Sequence, residues 1–131
     1  MNTRARFEYS RDAARRRIRV TAHDPLRKED LLAIVDHQIA DDAWAYGMLY
    51  DLRAVRGATP RGEVTRVAEH VSACITTLGP RGPVALVTRT IDMVGTSQIY
   101  ARLGAKVGFR VEVFCDLAEA EHWLDGPQSP P

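Results

Sequence analysis

The sequence predicts one α/β domain: a mixed, mostly parallel sheet of about five strands, an N-terminal hairpin and about four helices. Three observations carry this. Ile18, Val20 and Ala22 alternate with Arg17, Arg19 and Thr21, the period of a half-buried strand. Val64, Val67, Ala68, Val71, Ile75 and Leu78 recur at helical spacing, and Gly79-Pro80 ends that run. From there, strand-length and helix-length segments alternate to the C-terminus, which implies right-handed crossovers between parallel strands.

Element by element, Phe7 to Tyr9 reads as a first strand, Arg11-Asp12 as a turn and Arg17 to Ala22 as the second strand. The hairpin then carries one arginine-studded face of Arg15, Arg17, Arg19 and Thr21. Asp24-Pro25 predicts a helix start, with Asp as the cap and Pro at the first helical position. Leu31 or Leu32, Val35 and Ile39 give that helix its inner stripe. Tyr46 to Leu52 has apolar residues on both faces, as a central strand covered on each side requires. Pro60 to Leu78 is the longest helix, and Pro83 to Val87 a short buried strand. A helix from about Asp92 to Ala105 places Met93, Ser97, Tyr100, Leu103 and Gly104 on one stripe. Val111 to Phe114 is the last strand. Asp116 with Glu119 makes a capping box for a final helix facing inward through Leu117, Ala120, Trp123 and Leu124. One domain is expected over residues 1–125, followed by a Pro-rich tail, 126–131, that is expected to fray.

At 131 residues the chain can bury one core without metal or disulfide support. Its longest apolar runs fall far short of the roughly 20 residues of a bilayer span. The N-terminal arginines have no apolar signal core behind them, so the expectation is a cytoplasmic protein. The net charge of +1 hides a basic N-terminal segment: Arg4, Arg6, Arg11, Arg15, Arg16, Arg17, Arg19, Arg27 and Lys28 outnumber Glu8, Asp12 and Asp24. With only Phe7 and Tyr9 there to stack on bases, nucleic acid is not the expected partner. Cys74 and Cys115 lie far apart and read as buried packing thiols. His23, His37, His70 and His122 have no ligand spacing, so no metal and no cofactor is expected. Gly79-Pro80-Arg81-Gly82-Pro83 lacks the Gly-Lys-Ser/Thr of a phosphate loop and reads as a rigid turn.

The runs GMLYDLRAV (Gly47 to Val55), GPRGPVALVTR (Gly79 to Arg89) and VEVFCDLAEAEHWL (Val111 to Leu124) resemble bacterial SpoIIAA-like proteins of the STAS/SEC14-like superfamily, and the likeness spans about Ile18 to Leu124. The resemblance implies a small α/β domain of about five strands, with helices mainly on one side, that acts by binding partners or apolar ligands. In the sporulation regulator for which the group is named, phosphorylation of a Ser in an Asp-Ser-Ser-Gly loop switches partner binding. The matching segment here, Ala54 to Gly62, has no Ser-Gly pair, and Thr59 is its only hydroxyl.

The candidate partner-binding or switch loop therefore comprises Asp51, Arg53, Arg56, Thr59 and Arg61. Thr59 next to Pro60 reads as a helix cap. A phosphate on it would sit at the positive helix end beside Arg53, Arg56 and Arg61. Asp51 is expected to pair with Arg53 or Arg89. A single carboxylate without a second acid, a His or a metal makes no catalytic centre, and no nucleophile–base pair is visible. Met48, Met93 and Tyr100 mark the place where an apolar ligand cleft would lie, with Trp44 and Trp123 as further large apolar groups. The expectation is a non-enzymatic regulatory or protein-interaction module, with a small lipid or apolar-ligand carrier as the alternative. A homodimer through the hairpin would bring like charges together unless Glu8 or Asp12 intervenes.

Overall fold

The computed structural model describes residues 7–127. Their order is β1 (Phe7–Asp12), β2 (Arg17–Ala22), α1 (Lys28–Ala40), β3 (Gly47–Asp51), α2 (Arg61–Leu78), β4 (Val84–Val87), α3 (Ile91–Val107), β5 (Val111–Phe114) and α4 (Leu117–Asp125). The predicted order of elements is observed throughout. Arg4 and Arg6, and the tail beyond Pro127, lie outside the described residues.

The sheet runs β1-β2-β3-β4-β5, with β1 antiparallel to β2 and every other pair parallel. Strand order follows chain order, so right-handed crossovers put α1, α2 and α3 on one face. There they cover Ile18, Val20, Ala22, Met48, Tyr50, Val84 and Leu86. No strand follows the last helix, α4, among the described residues. This helix crosses to the other face and packs Ala120 and Leu124 on Leu49, Ala85 and Val87. The central strand β3 is thus buried on both sides, as its apolar pattern requires.

That crossing corrects the reading of the hairpin. Arg17 is buried at 2% exposure and pairs with Asp125 at 2.6 Å, while Arg19 pairs with Glu121. Both cations point at α4. The Arg17 guanidinium holds the Asp125 carboxyl below its ordinary range, and a cation at this helix end also suits the helix dipole. The turn moves as well. Asp12 closes β1 and its carboxylate accepts the Arg15 amide at 3.1 Å, so residues 13–16 form the loop, with Arg16 left-handed at φ 52°.

Helix α1 begins at Lys28, three residues after Pro25, because the Asp24 carboxylate is engaged elsewhere. Asp30 instead accepts the Arg27 amide at 2.9 Å. Of the capping box expected at α4, the Asp116 half is observed: Asp116 accepts the Ala118 amide at 2.8 Å, and no return bond from the Asp116 amide to Glu119 is formed among the described residues. On α2, Val64, Val67, Ala68 and Val71 are buried but Leu78 is 45% exposed. Eighteen helical residues span about 27 Å. The five residues of β3 span about 17 Å, so the helix overruns the sheet.

The ends of the strands where β3, β4 and β5 begin are locked around Arg81, a cation only 6% exposed. Its Nη1 donates to the Tyr100 hydroxyl at 3.2 Å and its Nη2 to Gln38 Oε1 at 3.3 Å. The guanidinium also stacks over Trp44 and Phe109, with its carbon 5.3 and 5.4 Å from the ring centres. Gly82 follows it because nothing larger fits: a Cβ there would overlap the backbone oxygens of Tyr46 and Ala45.

Two results should follow. Gly82→Ala must push two loops apart and is expected to lose at least about 2 kcal/mol in denaturant unfolding. Gly95→Ala, on an exposed and open part of α3, should gain about 0.5–1 kcal/mol. Equal effects would show that the two glycines are not distinguished by packing. Arg81→Lys keeps the charge but loses the fork and both ring stacks, and is expected to cost about 2 kcal/mol or more. An unchanged unfolding midpoint would show that charge alone matters there.

Candidate functional site

The C-terminal ends of the parallel strands carry the loops that can vary without breaking the sheet. Here they bring together residues 23–27, 52–60, 88–90 and 115–116. Asp51 ends β3, and Arg53 turns back onto it. Arg53 Nε lies 2.8 Å from Asp51 Oδ1 and Nη2 lies 2.7 Å from Oδ2, a forked pair. Those bonds hold the Asp51 carboxyl below its usual range. The expected Asp51–Arg53 pairing is present, and Asp51 is committed to it.

The loop from Leu52 to Pro60 is tied from three directions. Asp24 accepts the Arg56 amide at 2.9–3.0 Å and the Gly57 amide at 3.4 Å. Thr90 Oγ1 donates to the Val55 carbonyl at 3.3 Å. Thr59 Oγ1 donates to the Leu26 carbonyl at 2.8 Å, with the residue only 3% exposed. Thr59 is therefore not the cap of α2; Pro60 holds that position and no side chain caps it. A phosphate could reach Thr59 only after the loop opened.

What the loop shows to solvent is Ala54, Arg56, Gly57, Ala58 and Pro60, with Arg61 beside them. Arg89 stands nearby, its Nε donating to the Cys115 carbonyl at 3.4 Å. Among the described residues, the side chains of Arg56, Arg61 and Arg89 carry no ion pair. The neighbouring Arg27 is neutralised: Glu63 takes its Nε at 3.0 Å and Nη2 at 2.5 Å, and also accepts the Lys28 amide at 2.8 Å. The rim is thus a fixed backbone surface edged by unpaired guanidinium groups.

The expected apolar cleft is mostly filled. Met48 is fully buried in the core, and Met93 is 3% exposed. Met93 and Tyr100 line a cavity of about 30 Å³ with Tyr50, Thr59, Thr96 and Ser97. That volume holds about one water and no acyl chain. Ser97 Oγ lies buried without a protein partner, and burial pushes the Tyr50 phenol up to about 12. Met48 is not part of this lining.

Sequence reading missed three arrangements. Asp24 is a loop tether, visible only once the two loops are adjacent. Arg81 was legible only as a turn residue, although two Gly-Pro pairs around one Arg hint at a confined position. The third is an array on α1 and α2. His70 Nε2 lies 3.7 Å from Cys74 Sγ and 3.7 Å from Asp36 Oδ1. It has the composition of a nucleophile, base and orienter, but both contacts use one ring nitrogen, so the imidazole cannot bridge them as a relay. Burial also pushes the Cys74 thiol up, away from thiolate. Cys115 is exposed and not a packing thiol. His37 stacks against Tyr9, and His23 lies 3.3 Å from Glu8.

The rim makes a pH prediction. The Arg27 bonds, then the Lys28 amide, pull the Glu63 carboxyl from 4.5 to about 2. A carboxyl lowered on folding stabilises the fold above its unfolded value and loses that contribution as pH falls. Glu63→Gln should cost roughly 1 kcal/mol at neutral pH. Its deficit against the parent should close between pH 4.5 and about 2. A deficit that stays constant with pH would mean the loss is packing and not charge.

Compared with known proteins, the chain matches no family model, no curated protein and no solved structure.

Proposed function

We propose that the chain is a non-enzymatic interaction module of the SpoIIAA-like, STAS type, working in the cytoplasm, whose loop from Arg53 to Gly62 docks on a protein partner. The observation that carries this reading is the loop's internal satisfaction. Asp24, Leu26 and Thr90 already occupy its amides, its hydroxyl and a carbonyl. Its exposed surface is consequently pre-organised, and binding would order little further chain. Unpaired Arg56 and Arg61 would steer an acidic partner face and set its register. Thr59 supports the docking surface from beneath, through Leu26, in place of acting as an exposed switch. The carrier reading is not adopted, because the cavity beside Met93 holds about one water.

The test places a photo-crosslinking residue at exposed Ala58, with exposed Ala73 on α2 as the control position. A protein adduct is expected from position 58 and not from 73, and it should be lost in the Arg56→Glu, Arg61→Glu double variant. Adducts of equal yield from both positions, or an adduct indifferent to the charge reversal, would remove the loop as the docking surface.

A further inference from the structure

Among the described residues, two large apolar side chains stand exposed. Leu78, at 45%, lies where α2 overruns the sheet. Ile91, at 90%, has no such account. It opens α3 about 200° around the helix from buried Met93, so it points away from the sheet. At that exposure the fold draws almost nothing from its packing. Its backbone, however, is fastened to the docking loop. Thr90, the residue before it, donates its hydroxyl to the Val55 carbonyl at 3.3 Å. Arg89, one residue earlier, is held by the Cys115 carbonyl at 3.4 Å. A β-branched side chain in the first turn of a long helix also has few rotamers, so it loses little freedom when a partner covers it.

We propose that Ile91 is the apolar anchor of the docking surface, and that the partner is a protein presenting an apolar pocket edged by carboxylates. This rests on the loop reading given above and adds the side chain that enters the partner.

Charge decides what edges the pocket. Arg56, Arg61 and Arg89 are exposed, and their side chains carry no ion pair among the described residues. The acids of the rim are mostly engaged. Asp51 is taken by Arg53, Glu63 by Arg27, Asp24 by the Arg56 and Gly57 amides and Asp116 by the Ala118 amide. Asp92, exposed beside Ile91, remains, so three guanidinium groups stand against one carboxylate. The Thr90 hydroxyl is spent on Val55, so no side chain caps α3, and none caps α2. Both helices begin at this rim with their positive poles, which adds to the preference for negative charge. Other occupants fit less well. One aliphatic side chain is too little to hold a membrane, where even a whole myristoyl chain binds only marginally. A second copy would set the three arginines of each chain against one another.

The photo-crosslinking residue at Ala58 serves as the probe, now read in Ile91 variants of the full chain. Ile91→Val keeps most of the anchor and should hold the adduct yield within about twofold of the parent. Ile91→Ala leaves a single methyl and should lower the yield about tenfold or more. Ile91→Glu should abolish the adduct. Leu78→Ala, at the other exposed apolar side chain, should leave it unchanged. Ile91→Ala is also expected to unfold at the parent's midpoint, which separates lost docking from lost folding. An adduct that survives both Ile91→Ala and Ile91→Glu would overturn the anchor while leaving the loop as the docking surface. No adduct from position 58 in the parent would remove the docking surface and the anchor with it. An adduct between two copies of the chain would assign the surface to self-association, and flotation on anionic phospholipid vesicles that is lost in Ile91→Glu would assign it to a membrane. Either result would overturn the partner proposed here.

Discussion

The buried cation Arg81 organises the end of the domain where β3, β4 and β5 begin. Arg81 joins α1 through Gln38 and α3 through Tyr100, and it lies against Trp44 before β3 and Phe109 before β5. An unpaired charge in an apolar interior costs several kcal/mol. No carboxylate meets it among the described residues. Two polar acceptors and two aromatic faces take that place, a solution open to a planar, weakly hydrated guanidinium and closed to an ammonium. The arrangement needs Arg81 to be driven inward, and Gly82 does this by letting its backbone lie against that of Tyr46. Trp44 completes the lock: its indole donates to Gly79 O at 2.8 Å, and its own carbonyl accepts the Gly82 amide at 3.0 Å.

Fixing that end leaves the opposite end to carry surface chemistry. At the strand C-termini the loops are also held, but by exposed or half-exposed groups such as Asp24, Arg27 and Asp51. Such bonds are individually modest. Their effect is positional: they consume the loop's own donors and carboxylates, and leave Arg56, Arg61 and Arg89, against Asp92 at the start of α3, as charges still available to another molecule. A rim on which free cations outnumber free acids favours a partner with negative charge.

The parts of the fold legible in the sequence are those fixed by short-range periodicity. The β2 alternation, the α2 stripe and the Asp116 cap each depend on residues within a few positions of one another, and the structure has them, apart from Leu78 at the end of the stripe and the Glu119 half of the cap. The misread features depend on what lies across the fold. Asp24 looks like a cap locally, but its carboxylate finds the Arg56 and Gly57 amides some 32 residues away. Arg17 and Arg19 look like a solvent face until α4 arrives from the far end of the chain. Thr59 has the sequence of a cap and the environment of a core residue, because Leu26 offers it a carbonyl. In each case a polar side chain had two uses, and only the tertiary neighbour decided between them.

The course of α4 shows how far one such decision reaches. Had α4 followed α3 onto the same face, it would have left Leu49, Ala85 and Val87 bare and Arg17 without its carboxylate. Crossing over covers that apolar face and gives Arg17 its carboxylate. It also sets Asp125 at a helix C-terminus, where a negative charge is disfavoured unless a cation answers it. Arg17 answers it, although its Nε and Nη1 find no protein partner. The crossing is therefore held jointly by apolar burial and by an ion pair that is imperfect on its own. The edge strand β5 keeps two outward amides whichever face α4 takes, because β5 ends the sheet. Where β1 carries Glu8, Arg11 and Asp12, β5 is blunted by its length of four residues and by Glu112.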